Sequence, residues 1–129
     1  NPVFYVQYAY ARINSLIRIL DKKLTDKIDL NPDNFSLNDY EKKILRKIFE
    51  WPKIIESASY KLELHKIPYY LYELSTLFHS YWSKGNEDDK FKFVKNGKVS
   101  ENIMIIMQLI LIVLQNGMNI LNVSLPDKM

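Results

Sequence analysis

ENIMIIMQLILIVLQN, residues 101–116, is apolar on nearly every side once wound at 3.6 residues per turn. Ser100 just before it reads as a helix cap, and Glu101 in the first turn complements the helix dipole. Its most apolar part, Ile103 to Leu114, holds Gln108 and is followed by Gln115, Asn116 and Gly117. A bilayer span needs about 20 consecutive apolar residues, so this run is too short and too interrupted for one. It reads instead as a central buried helix. Such a helix needs other elements around it, each offering one apolar face.

The rest of the chain supplies them. From about Pro2 to Lys23, Val6, Ala9, Ile13, Leu16, Ile17, Leu20 and Leu24 recur at helical spacing, with Asn1 as cap and Pro2 at the first helical position. Residues 25–35 read as a loop turning at Asn31-Pro32-Asp33. A second helix starts after Ser36, with Ser36 and Asp39 as its capping pair. Leu37, Tyr40, Ile44, Leu45, Ile48 and Phe49 form its inner face, while Glu41, Lys42, Lys43, Arg46 and Lys47 face water. Pro52 opens a third helix running to about Leu64, and Pro68 a fourth over Tyr69 to Ser83, ended by Gly85. Residues 85–99 read as a mobile loop, with a short extended piece over 91–94. The tail is Ser124 to Met129. The expected fold class is all-α, a five-helix bundle forming a single domain over residues 1–129.

Composition narrows the chemistry. The 129 residues are 47% apolar and 26% charged, ordinary for a globular chain and sufficient for one modest core. The chain has no cysteine, so it lacks disulfide staples, a thiol nucleophile and thiolate metal sites. Three scattered glycines exclude a Gly-rich phosphate loop. Asp88 and Asp89 lie in a polar stretch with nothing apolar to shift a pKa. His65 reads as a cap or surface residue, and His79 sits mid-helix without an acid or serine spaced to it. No catalytic residue and no metal ligand set is therefore expected in this chain. The net charge of +3 is mild, but nine tyrosines offer both stacking faces and polar tips.

Tyr5, Tyr8 and Arg12 fall within roughly 60° of one another on the first helix, at the edge of its apolar face. Two phenols and a guanidinium on one ridge suit single-stranded bases, which need rings to stack on and an arginine for a base edge or phosphate. The same spacing also fits tyrosines that pack on neighbouring helices while Arg12 snorkels. Trp82 is a second platform or a core residue. Trp51, before Pro52, reads as packing at a helix junction.

The opening NPVFYVQYAYARI, residues 1–13, resembles the NPVxYVQYAHARI segment that begins the C-terminal, all-helical DALR-type anticodon-binding domain of arginyl-tRNA synthetases. Leu71-Tyr72-Glu73-Leu74 with Phe78-His79-Ser80-Tyr81-Trp82 resembles that family's YLxELAxxFxxFY stretch. Residues 116–129, from Asn116-Gly117 to Pro126 and Met129, resemble its NGLxLLGIxxPxxM ending. The resemblance implies an anticodon-loop binding domain of arginine–tRNA ligase, which joins arginine to tRNA(Arg) using ATP and Mg2+. The HIGH-like and KMSKS-like sequences of the catalytic domain are absent here, so no cofactor is expected in this part. It implies anticodon contacts for Tyr5, Tyr8, Arg12, Trp82 and the terminal Met129. The implied partners are the tRNA(Arg) anticodon stem-loop, with its middle cytosine, and the catalytic domain of the same chain. A cytoplasmic monomer with no membrane contact is expected. Tyr10 replaces the family's histidine and takes no role. Asn122 replaces a glycine, and asparagine is the next residue to tolerate a positive φ. The rivals are the related domain of another class I synthetase, such as the cysteinyl enzyme, and a helical protein-interaction module.

Overall fold

The computed structural model describes residues 2–23 and 36–126. Five α-helices lie among them: α1 (Pro2–Lys23), α2 (Asp39–Phe49), α3 (Trp51–Lys61), α4 (Lys66–Glu87) and α5 (Glu101–Ile120). Between α4 and α5 come a single 3-10 turn, Asp89–Phe91, and two short antiparallel strands, β1 (Val94–Lys95) and β2 (Lys98–Val99). The expected Asn1 cap, Leu24, the 25–35 loop and Met129 lie outside the described residues.

Helix α5 is central, as its apolar sequence requires. Ile103, Met104, Ile106, Met107, Ile110, Val113, Leu114 and Met118 are all buried, and the helix packs on α1, α2 and α4. It is longer than its most apolar run and extends to Ile120. Its 20 residues would suffice by length and apolarity to cross a membrane, but half of that stretch is buried inside the bundle. Helix α4 shares the centre: Ile67, Tyr70, Leu71, Leu74 and Phe78 are buried, and it touches all four other helices. Val6, Ala9, Ile13 and Leu20 give α1 its inner face.

Several sequence expectations are corrected by local chemistry. Asn38, rather than Ser36, caps α2: its side chain accepts from the Glu41 amide and the Glu41 carboxylate accepts from the Asn38 amide, both at 2.9 Å. This reciprocal box buries Glu41, which the helical spacing had placed in water. Phe49, expected inside, is exposed at the α2–α3 junction. Helix α3 ends at Lys61, where Leu62 takes a left-handed conformation (φ 54°). Ser100 occupies the N-cap position of α5 without a side-chain capping bond. Asn122 does adopt the positive φ (57°) its place demands, and the Val123 amide closes back on the Met118 carbonyl at 2.9 Å.

The largest departure is the connection over residues 85–99, expected as a mobile loop. Gly85 does not end the fourth helix. It lies buried within α4, where a Cβ would sit 2.7 Å from the Phe91 carbonyl oxygen, so the missing side chain lets the connection lie against the helix. Phe93 is buried against Tyr81 and Trp82, with ring centroids 4.7 and 5.3 Å away, and Phe91 meets Tyr40 edge-on at 5.3 Å. Asn96 and Gly97, both at positive φ, form the tight turn that joins β1 to β2.

Candidate nucleic-acid interface

The seam between α1 and α4 carries a continuous row of rings. Tyr5 and Tyr8 are one turn apart on α1, and Arg12 follows one turn later. Helix α4 presents Tyr72, His79 and Trp82 on one face, seven and three residues apart. The two sets interleave. Tyr5 lies 5.2 Å from Tyr72 and 4.7 Å from His79, and His79 lies 5.4 Å from Tyr8. The Arg12 guanidinium sits 5.2 Å from the Tyr8 ring centroid and 5.5 Å from that of Trp82. It also donates a hydrogen bond to the Tyr8 hydroxyl. The row therefore runs Tyr72, Tyr5, His79, Tyr8, Arg12, Trp82.

Sequence reasoning named Tyr5, Tyr8, Arg12 and Trp82, and the structure brings these four to one seam. It missed Tyr72 and His79, whose spacing with Trp82 marks a shared face of α4 but not the contact of that face with α1. Met129 cannot be placed, since it lies outside the described residues. Trp82 packs on Phe93, as the core reading expects, and the Arg12 guanidinium lies over its ring. Trp51 is buried and stacks on Tyr70 at 5.2 Å, as a junction residue would. Tyr10 is buried away from the seam, where its hydroxyl accepts from the Gln115 amide at 2.6 Å.

The electrostatics favour an electron-rich ligand. No acidic group pairs with Arg12 among the described residues. A guanidinium held by rings keeps most of its five donors free. Burial, reinforced by Arg12, pushes the His79 pKa down to about 4, so its ring is neutral at pH 7. Its Nε2 is buried without a hydrogen-bond partner. Burial, then Tyr72, raises the Tyr5 pKa, so the phenol stays protonated. Beside the row, Tyr8, Arg12, Ser15, Ile19 and Trp82 line an open cleft of about 430 Å³. Tyr8 is 40% exposed at its edge. Among the described residues no cluster of His, Asp or Glu could hold a metal ion.

Residues 6–129 match the family model of the DALR anticodon binding domain. The chain belongs to that family. This DALR domain is 45% identical over 130 residues to the arginine–tRNA ligase of Pelagibacter ubique, and 36% identical over 137 residues to that of Rhizobium meliloti. The whole chain is covered in both, but only 22% and 23% of those relatives, so it spans under a quarter of their length. A crystal structure described as an arginyl-tRNA synthetase from Campylobacter jejuni superposes with a TM-score of 0.75 at 25% identity, covering all of this domain and 27% of that chain.

Proposed function

We propose that this DALR domain binds the anticodon loop of tRNA(Arg) as part of an arginine–tRNA ligase, a monomeric enzyme of the cytoplasm. The observation that carries the reading is Arg12: a guanidinium between two rings, without a carboxylate, on a row of half-exposed aromatics. Tyr5, Tyr8 and Trp82 offer faces on which unstacked bases lie, and each such stack contributes about 1–3 kcal/mol. Arg12 supplies donors to a base edge or phosphate. Met129, at the position of the family's terminal methionine, adds a soft thioether against a base. ATP and Mg2+ serve the intact ligase on a catalytic domain outside this chain, and no step of that chemistry is assigned to these residues.

The test is a fluorescence titration of the domain with an arginine-anticodon stem-loop. Tyr8→Ala should weaken binding by about 1–3 kcal/mol with an unchanged circular-dichroism spectrum, because Tyr8 is substantially exposed. Unaltered affinity in that variant would overturn the reading.

A further inference from the structure

We propose a second RNA contact, a phosphate-binding cleft walled by Lys90, Lys92 and Lys95, which takes the sugar–phosphate backbone of the nucleic acid whose loop lies on the aromatic row. The inference rests on the partner being RNA, as argued above.

The lysines converge because their aromatic neighbours are anchored. In residues 90–95, Lys-Phe-Lys-Phe-Val-Lys, Phe91 packs on Tyr40, and Phe93 on Tyr81 and Trp82. This leaves the three lysines along a cleft of about 450 Å³ that also meets Asn38, Ser100 and Asn102, at the starts of α2 and α5. Lys95 donates to the Lys90 carbonyl at 2.6 Å, and Lys92 reaches Asp89 at 3.0 Å across a surface where that carboxylate is almost fully solvated. Such an exposed pair is weak and yields readily to a phosphate. The acid in the cleft wall, Glu41, is buried and bound to the Asn38 amide at the positive end of α2.

Adjacency to the aromatic row is the second observation. Trp82 and Ile19 belong both to the cleft beside Arg12 and to a smaller one of about 170 Å³. Lys92 and Phe93 line that smaller cleft and the lysine cleft alike. Neighbouring clefts with shared walls thus set stacking rings beside lysines, the combination that single-stranded binders use for bases and backbone.

The experiment compares the domain with a Lys90→Gln, Lys92→Gln, Lys95→Gln variant, against the arginine-anticodon hairpin and a hairpin of the same stem with an unrelated loop, over a salt series. A Lys43→Gln, Lys53→Gln, Lys61→Gln variant, altered at exposed positions of α2 and α3, matches the charge change. Loss of the cleft lysines should weaken both hairpins by the same several-fold factor and make the slope of log affinity against log salt shallower by about one or more. The control variant should keep the slope. An unchanged slope with retained preference for the arginine hairpin would overturn the cleft and leave the anticodon reading standing. Lysine-dependent binding with no preference between hairpins would uphold the cleft and overturn the anticodon reading. Binding to neither hairpin would overturn both.

Discussion

Replacing Gly85 by alanine sets two effects of opposite sign against each other. Inside a helix, alanine is favoured over glycine by about 1 kcal/mol, so propensity alone expects a more stable protein. The structure expects the reverse. The new Cβ would lie 2.7 Å from the Phe91 carbonyl oxygen and 3.3 Å from the Lys92 Cα. Both are backbone atoms, which cannot rotate aside as a side-chain tip can. The connection could retreat only by drawing Phe93 out of its place between Tyr81 and Trp82 and Phe91 off Tyr40. Overpacking of this kind costs about 1–3 kcal/mol, which cancels the propensity gain and leaves a net loss of up to about 2 kcal/mol. For a domain of this size that lowers Tm by up to about 8 °C, where propensity alone would raise it by about 4 °C. A thermal melt followed by circular dichroism reads it directly, and tryptophan fluorescence reports the displacement of Phe93 from Trp82. A Tm raised by the few degrees that propensity alone expects would refute the argument that the 85–99 connection is packed tightly on α4.

Two further outcomes are expected. Leu62→Gly should raise Tm by a few degrees in the same melt, because Leu62 holds a left-handed φ of 54° with its side chain 85% exposed; the relieved strain is about 1–2 kcal/mol, partly offset by glycine's greater freedom when unfolded. His79 has a pKa pushed down to about 4, so between its ordinary value of 6.5 and 4 the unfolded chain binds a proton that the folded chain refuses. Stability should therefore fall as pH drops through that window, by at most about 1.4 kcal/mol per pH unit, and urea unfolding of His79→Phe should show a shallower pH dependence than the parent.

The all-α class was legible because helical periodicity is a local property. The apolar 103–114 run read as a helix packed against others, and Val6, Ala9 and Ile13 marked the inner face of α1. Half of the aromatic row was legible for the same reason, since Tyr5, Tyr8 and Arg12 share one helix. Tyr72 and His79 join them only when α4 lies against α1, which spacing within one helix does not reveal. Helical spacing puts Glu41 in water when Ser36 is the cap, whereas Asn38 with Glu41 three residues on is itself a capping-box signature. Gly85 read as a helix end because glycine usually breaks helices. Here its role is set by a carbonyl six residues later in sequence, a tertiary contact. The alternation in Lys90-Phe91-Lys92-Phe93 was the available sign that 85–99 is anchored rather than loose.

The central claim is that sequence readout of a tRNA anticodon resides in this domain. The most direct test titrates it with two stem-loops, one carrying the arginine anticodon and one with only the middle base changed. Tighter binding of the arginine stem-loop, with the difference abolished in Tyr8→Ala, is the predicted result. Equal affinity for the two loops, lost equally as salt rises, would contradict the claim and reduce the domain to a clamp on the backbone.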